Sequence, residues 1–289
     1  MQPPCSLDIL SFQRWKGLKI FFAPPYIPAS NADIVNAISY FFDNTQALPS
    51  GVNNTQFSVN KITLWDVALI TIFVDLFSGR SDFNENISQW NVLNVTSMYE
   101  MFHSALAFNQ DIGNWNVSNV TNMGYCFFNA SSFNQDIGNW NVSNVTAMNN
   151  MFHSALAFNQ DIGNWNVSKV TNMITMFFRT KLFNQDIGRW EVSNVTNMRA
   201  MFTDAKSFNQ DISRWDVSNV TTMSFMFKDA ESFDQDIRRW DVSSIVPSDE
   251  PFGDGFTGMF EGATAMLNRY PQLSTVQGIV DWFNSEPGS

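Results

Sequence analysis

The sequence predicts a repeat solenoid: about eight coils of 25 residues, short parallel strands on one face, helical or 3-10 turns on the other, and a helix closing each end. Three observations predict it. Trp stands at 65, 90, 115, 140, 165, 190, 215 and 240, a constant step of 25. The segment 101–118 is identical to 151–168, which points to duplication by pairs of repeats. The composition is that of one short sentence written many times, with 28 Phe, 14 Met and 10 Trp beside 2 His. A fixed period of this length marks a solenoid, propeller or array, whose units bury their apolar faces only by stacking.

The chain divides into residues 1–57, 58–267 and 268–289. The first part is poorly patterned up to residue 29, with Pro at 3, 4, 24, 25 and 28. From Ser30, a capping residue, Ile34, Ile38 and Phe41 fall on one helical face, so a helix is expected to cover the first coil. The first coil, 58–82, is degenerate but keeps its apolar positions from Ile62 to Phe77.

The full unit begins at Phe83, Phe108, Phe133, Phe158, Phe183, Phe208 and Phe233. Its apolar spacing, Ile112-x-x-Trp115-x-Val117-x-x-Val120, follows the leucine-rich skeleton L-x-x-L-x-L. Alternation predicts a short strand at Trp115–Val117 with both side chains inward. Val120, Met123 and Phe127 then fall at helical spacing, with Thr121 placed as the cap. Twelve Met fill two columns, and Cys126 takes a place in the second, so it is expected as a buried reduced thiol. Core packing outweighs a soft-metal or haem site there. The last repeat carries eight extra residues, within 244–258, expected to bulge as a loop. Beyond it Val276, Ile279, Val280 and Phe283 form a second helical stripe after Ser274.

The net charge of −11, from 16 basic and 27 acidic residues, disfavours nucleic acid and anionic membrane as partners. The longest apolar run, Val67–Val74 with Thr71 inside it, falls far short of a membrane span. Two Cys cannot build a disulfide framework.

Several polar columns are candidate sites. The residue between Trp and Val gives Asp66, Asn91, Asn116, Asn141, Asn166, Glu191, Asp216 and Asp241. The residue before Trp gives Gln89, Asn114, Asn139, Asn164, Arg189, Arg214 and Arg239. Both are expected outward on the sheet, a neutral amide array in the middle coils and alternating Arg and carboxylate toward the C-terminus. Cross-strand charge pairs of that kind could also be purely structural.

Asp111, Asp136, Asp161, Asp186, Asp211 and Asp236 form a carboxylate ladder. At a coil spacing of about 5 Å, neighbours repel by about 0.8 kcal/mol in water and about 3 at an effective dielectric of roughly 20. Capping by backbone amides is favoured over calcium, which needs more oxygens than one Asp per coil supplies. The ladder Asn84, Asn109, Asn134, Asn159, Asn184, Asn209 and Asp234 is expected as a buried amide column between coils. The Asn-Val-Ser-Asn-Val-Thr stretches supply glycosylation acceptors, read first as recurrent turn and cap residues. The column Thr71 to Thr221 could bind ice or a crystalline polysaccharide if flat, but is expected to cap helical turns. His103 and His153 have no specifically placed partner for catalysis, and Gly253–Gly258 is loop glycine rather than a dinucleotide fingerprint.

The unit F-N-Q-D-I-x-x-W-x-V-S-x-V-T-x-M-x-x-M-F-x-x-A resembles the repeat of BspA-like leucine-rich surface proteins, also found in mycoplasma surface lipoproteins and in protist and large-virus proteins. The likeness covers roughly residues 58–266. It implies a right-handed solenoid, often displayed on cell surfaces, for adhesion or protein binding, with no catalytic residues and no cofactor. No secretion signal or lipobox is read: Lys16–Ala23 runs straight into Pro24, Pro25 and Pro28, and Cys5 has no apolar run before it. The expectation is therefore a non-enzymatic binding or scaffold module with a protein partner on the sheet face. The alternative is carbohydrate or ice binding through the Asn and Thr arrays.

Overall fold

The computed structural model describes residues 27–43, 62–245 and 255–285. The expectations for Cys5, Lys16–Ala23 and the centre of the 244–258 insertion lie outside the described residues, as does the side chain of Phe41. The elements are α1 (Asn31–Asp43), a 3-10 turn (Ile62–Leu64), α2 (Thr264–Arg269), a 3-10 turn (Pro271–Ser274) and α3 (Val276–Phe283). No helix among the described residues is long and apolar enough to cross a membrane.

Between the helices, repeat is bonded to repeat in constant register. Single parallel bridges join Ile72 to Ser97, Ser97 to Asn122, Asn122 to Ala147, and so on to Thr222. The ladder therefore runs through Val-Thr-Asn-Met, not through Trp115–Val117, which carries no strand. The alternation of Trp115 and Val117 is real in burial but comes from a turn: Ile112 O accepts from the Trp115 N–H at 3.1 Å and Val117 O from the Val120 N–H at 2.9 Å.

The expected helical side is also different. From Met98 to Ala105, every other N–H donates across to the next repeat: Met98 to Asn122 O, Glu100 to Gly124 O, Phe102 to Cys126 O and Ser104 to Phe128 O. The alternate N–H groups, of Met101, His103 and Ala105, close three-residue turns within the repeat. A helix would spend all of them internally. Two left-handed residues per repeat make this possible, Glu100 and Ser104 here, Tyr125 and Asn129 next, each with φ near +56°. The same columns hold Gly258, at φ +59°, and Gly79 and Gly262, at φ +72° and +70°. In those terminal repeats glycine takes the conformation without strain.

The core is continuous. Trp at all eight positions, Val at 117 and its equivalents from 67 to 217, and both Met columns with Cys126 are buried. Two Phe columns stack along the molecule. Phe83, Phe108, Phe133 and their successors lie 5.5–6.1 Å apart. Phe77, Phe102, Phe127 and theirs lie 5.4–5.7 Å apart. From Trp90 to Trp240 each indole N–H of the column reaches back 28 residues: Trp115 to Ile87 O at 3.2 Å, Trp165 to Ile137 O at 3.1 Å. Buried polar groups thus become interrepeat ties.

Both ends are closed by residues that imitate a missing repeat. In α1, Asn31 Oδ1 accepts the N–H groups of Thr71 and Ile72 at 3.1 and 3.3 Å. Thr96 instead finds the carbonyl of Thr71 for its N–H. Ser30 caps α1 through Asp33, and Ile34, Ala37 and Ile38 are buried. At the other end the insertion lengthens the connection, and the register resumes: Phe225 N–H donates to Thr257 O and Phe227 N–H to Met259 O. The helical cap begins at Thr264, ahead of residue 268, and α3 is capped by Thr275 rather than Ser274, its Oγ1 accepting from Gly278 N–H at 3.0 Å.

Candidate functional site

Every outward residue expected from the sequence is exposed: Asn91, Asn114, Asn116, Asn139, Asn141, Asn164 and Asn166, then Arg189, Glu191, Arg214, Asp216, Arg239 and Asp241. The support beneath them is a row of turns instead of a sheet. Asn116 Oδ1 accepts the Ser118 N–H at 3.2 Å, Asn141 the Ser143 N–H and Asn166 the Ser168 N–H. Asp216 and Asp241 do the same for Ser218 and Ser243. One side-chain oxygen per repeat is thus used locally, and the rest of each group faces solvent.

The expected alternation of Arg with carboxylate does not form ion pairs on this row. Among the described residues, no pair within 4 Å involves Arg189, Arg214 or Arg239. The charges still shape the site. Hydrogen bonds from Ser213, with Arg214 and Arg239 nearby, hold the Asp211 carboxyl below its ordinary range. Hydrogen bonds from Ser218 do so for Asp216.

The other columns are spent mostly on the stack itself. Asp111, Asp136, Asp161 and Asp186 each accept from the glycine N–H two residues on, at 2.9 Å. No cluster of three metal-ligating side chains occurs among the described residues. The Asn109 ladder ties repeats, Asn134 N–H donating to Asn109 Oδ1 at 2.9 Å, but it is half-buried rather than buried, because each Asn sits at a repeat edge. The Thr column caps no helix. Thr121 Oγ1 donates to Thr96 O at 3.1 Å, beside the bridge ladder, and the column is exposed.

Sequence reasoning missed the role of one column and the existence of another. Asn94, Asn119, Asn144, Asn194 and Asn219 each donate Nδ2 to a carbonyl of the preceding repeat at 2.7–2.8 Å. These are five of the eight Asn-Val-Ser and Asn-Val-Thr glycosylation acceptors, Asn94, Asn116, Asn119, Asn141, Asn144, Asn166, Asn194 and Asn219, and their amide nitrogens are occupied. On the turn side His103, Phe128, His153 and Phe178 form one continuous ring stack, with centroids 4.7, 4.3 and 4.4 Å apart. The signal was present, an aromatic ring recurring at each step of 25, but a helical reading hid its face.

The profile of a family described as "Mycoplasma protein of unknown function, DUF285" matches residues 45–165 and again 154–273. No curated protein and no solved structure matches the chain.

Proposed function

The chain belongs to the DUF285 family, and from that premise we propose that it is a non-enzymatic binding scaffold, a right-handed solenoid of the BspA-like leucine-rich kind whose turn row carries a protein partner. One observation supports this most: the thirteen residues from Asn91 to Asp241 stay exposed repeat after repeat above a buried Trp column. Regular spacing on a stiff support is how repeat proteins present an extended recognition surface. The row changes from amides to Arg and carboxylate along its length, so a partner meets a direction as well as a pattern. Both His are committed to ring stacks, which suits a protein without a catalytic base.

The test is a pair of exposed substitutions, Arg214→Glu and Asn141→Lys, scored for partner capture and affinity on surfaces bearing the full chain. Loss of capture with an unchanged melting curve supports the reading. Unchanged affinity, with loss on altering residues 246–254 or 1–29, makes the repeats a spacer and defeats it.

The exposed Thr column beside the ladder favours a second reading, carbohydrate or ice binding. Its hydroxyl hydrogens are already donated to carbonyls, leaving lone pairs to face a ligand. A glycan array and an ice-recrystallisation assay, with Thr146→Val as control, decide it.

A further inference from the structure

The His and Phe stack on the turn side ends abruptly. After Phe178 the next place in the column is Thr203, and beside it Ala200 stands between Thr175 and Phe225. Two small residues in one repeat, flanked by rings in the repeats on either side, open a groove of about 600 Å³. That size lies in the usual range for ligand clefts, roughly 300–1,000 Å³. Its charge is unlike that of the middle repeats. Residues 81–168 contain no Lys or Arg, yet Arg179, Arg199 and Lys228 all line this groove. Arg199 and Lys228 lie over the Phe225 ring at 5.5 and 5.8 Å, and Arg179 over Phe178 at 5.6 Å. Asp204 and Asp229 complete the lining. Asp204 is met by Arg179, Lys181 and Lys206 at 3.8–3.9 Å, while Lys206 also pairs with Glu231, and Lys228 pairs with Glu261 at 2.7 Å.

We propose that this groove, above the buried Thr203 and Ala200 and between the Phe178 and Phe225 rings, binds an acidic sugar, a hexuronate residue of a polysaccharide. The apolar face of a pyranose matches the Phe178 ring, at which the column of stacked rings stops, once the Arg179 guanidinium that lies over this ring turns toward the sugar carboxylate. Its carboxylate matches the guanidinium groups, which take a carboxylate in two parallel hydrogen bonds. Its hydroxyls match Asp204 and Asp229, which accept hydrogen bonds and repel a doubly charged phosphate or sulfate. The site uses columns different from those of either reading above, and it stands or falls separately.

Calorimetric titration of the full chain tests it, with trigalacturonate, galactotriose, inorganic phosphate and benzoate as probes. Trigalacturonate is expected to bind, and galactotriose at least roughly tenfold more weakly. Thr203→Phe extends the stack with a ring that Phe128 and Phe178 already accommodate in this column, and is expected to abolish binding. Phe178→Ala and Arg199→Ala, checked by melting curve, are expected to weaken it roughly tenfold or more. Asn141→Lys is expected to leave it unchanged. No binding of trigalacturonate at millimolar concentration overturns the proposal, as does binding that survives Thr203→Phe and Arg199→Ala. Equal binding of phosphate makes the groove a bare anion site, and equal binding of benzoate makes it a site for aromatic acids; either result overturns the assignment to sugar.

Discussion

Trp165 separates packing from hydrogen bonding in the stack. It is mid-chain and buried, its indole lies 6.3 Å from the Phe152 ring, and its Nε1 donates to Ile137 O at 3.1 Å. Trp165→Ala removes the whole side chain and is expected to cost about 3–5 kcal/mol, since a large buried side chain leaves a cavity that relaxes only partly. Trp165→Phe keeps a ring and loses the donor. Ile137 O also accepts the Trp140 N–H at 3.0 Å, so it is not left unsatisfied. The full desolvation penalty therefore does not apply, and the lost bond costs about 0.5–1.5 kcal/mol. With some lost ring area, Trp165→Phe is expected near one third to one half of the Ala loss.

Urea unfolding followed by far-ultraviolet circular dichroism gives the two values. Hydrogen exchange at Trp140 and Trp190 shows whether the loss spreads, as nearest-neighbour coupling requires. An unchanged midpoint for Trp165→Ala refutes the inward core assignment. Equal losses for Phe and Ala refute the partition, because the donor would then outweigh the packing.

Burial of the His153 ring, with Arg179 and His103 nearby, lowers its pKa from the ordinary 6.5 to about 4. The unfolded chain then takes a proton that the folded chain refuses, so stability is expected to fall as pH drops from 6.5 toward 4; melting curves across this window check it, and His153→Phe should flatten the decline. Burial pushes the Cys126 thiol well above its ordinary value, so in a Cys5→Ser background it should react with a disulfide reagent only after denaturation. Asp161→Asn keeps an acceptor for the Gly163 N–H and should be nearly neutral, whereas Asp161→Ala should cost about 1 kcal/mol. Calcium and chelator should leave the melting temperature unchanged, and a calcium-dependent rise would show that the Asp ladder holds metal.

The period, the inward Trp, the Met columns and the two capping helices were legible because each is an apolar pattern, and burial follows it closely. The secondary structure within a repeat was not. Trp-x-Val alternates as a strand does, yet Asn116 closes a turn there, and an Asx turn and a strand share that two-residue period of burial. Val120, Met123 and Phe127 sit at helical spacing, yet Tyr125 and Asn129 are left-handed. Nothing about the Tyr at 125 or the Arg at 179, also left-handed at φ +58°, announces that conformation. Gly79, Gly258 and Gly262 do, and Asp75, Asn129, Asn150, Asp204 and Asp229 are of types that tolerate it, but the glycines stand only in the end repeats, and Gly258 reads there as loop glycine. Of the candidate site, the outward row was legible from alternation, while the ring stack and its gap at Thr203 needed the true backbone to share one side.

The division of labour among columns bears on where a function can reside. The most repetitive polar residues are those the backbone consumes. Asn119 ties to the Leu93 carbonyl, Thr121 to Thr96, Asn134 to Asn109, and Asp111 to the Gly113 N–H. Their repetition needs no ligand, because every repeat has the same groups to satisfy. A binding specificity written in those columns would have to break the bonds that hold the stack. Specificity is therefore expected where the columns depart from their own rule: Asn to Arg at 189, 214 and 239, and ring to Thr at 203. At the three Arg positions a side chain can change without loosening a neighbour, whereas Thr203 also donates to the Phe225 carbonyl at 2.6 Å. Exchanging Arg189, Arg214 and Arg239 for Asn, which restores the rule, is then expected to leave the unfolding free energy within about 1 kcal/mol of the parent, as for exposed charges. The same change should remove charge-dependent binding. A large loss of stability instead would mean that these Arg residues serve the stack, and the argument from departures would fail.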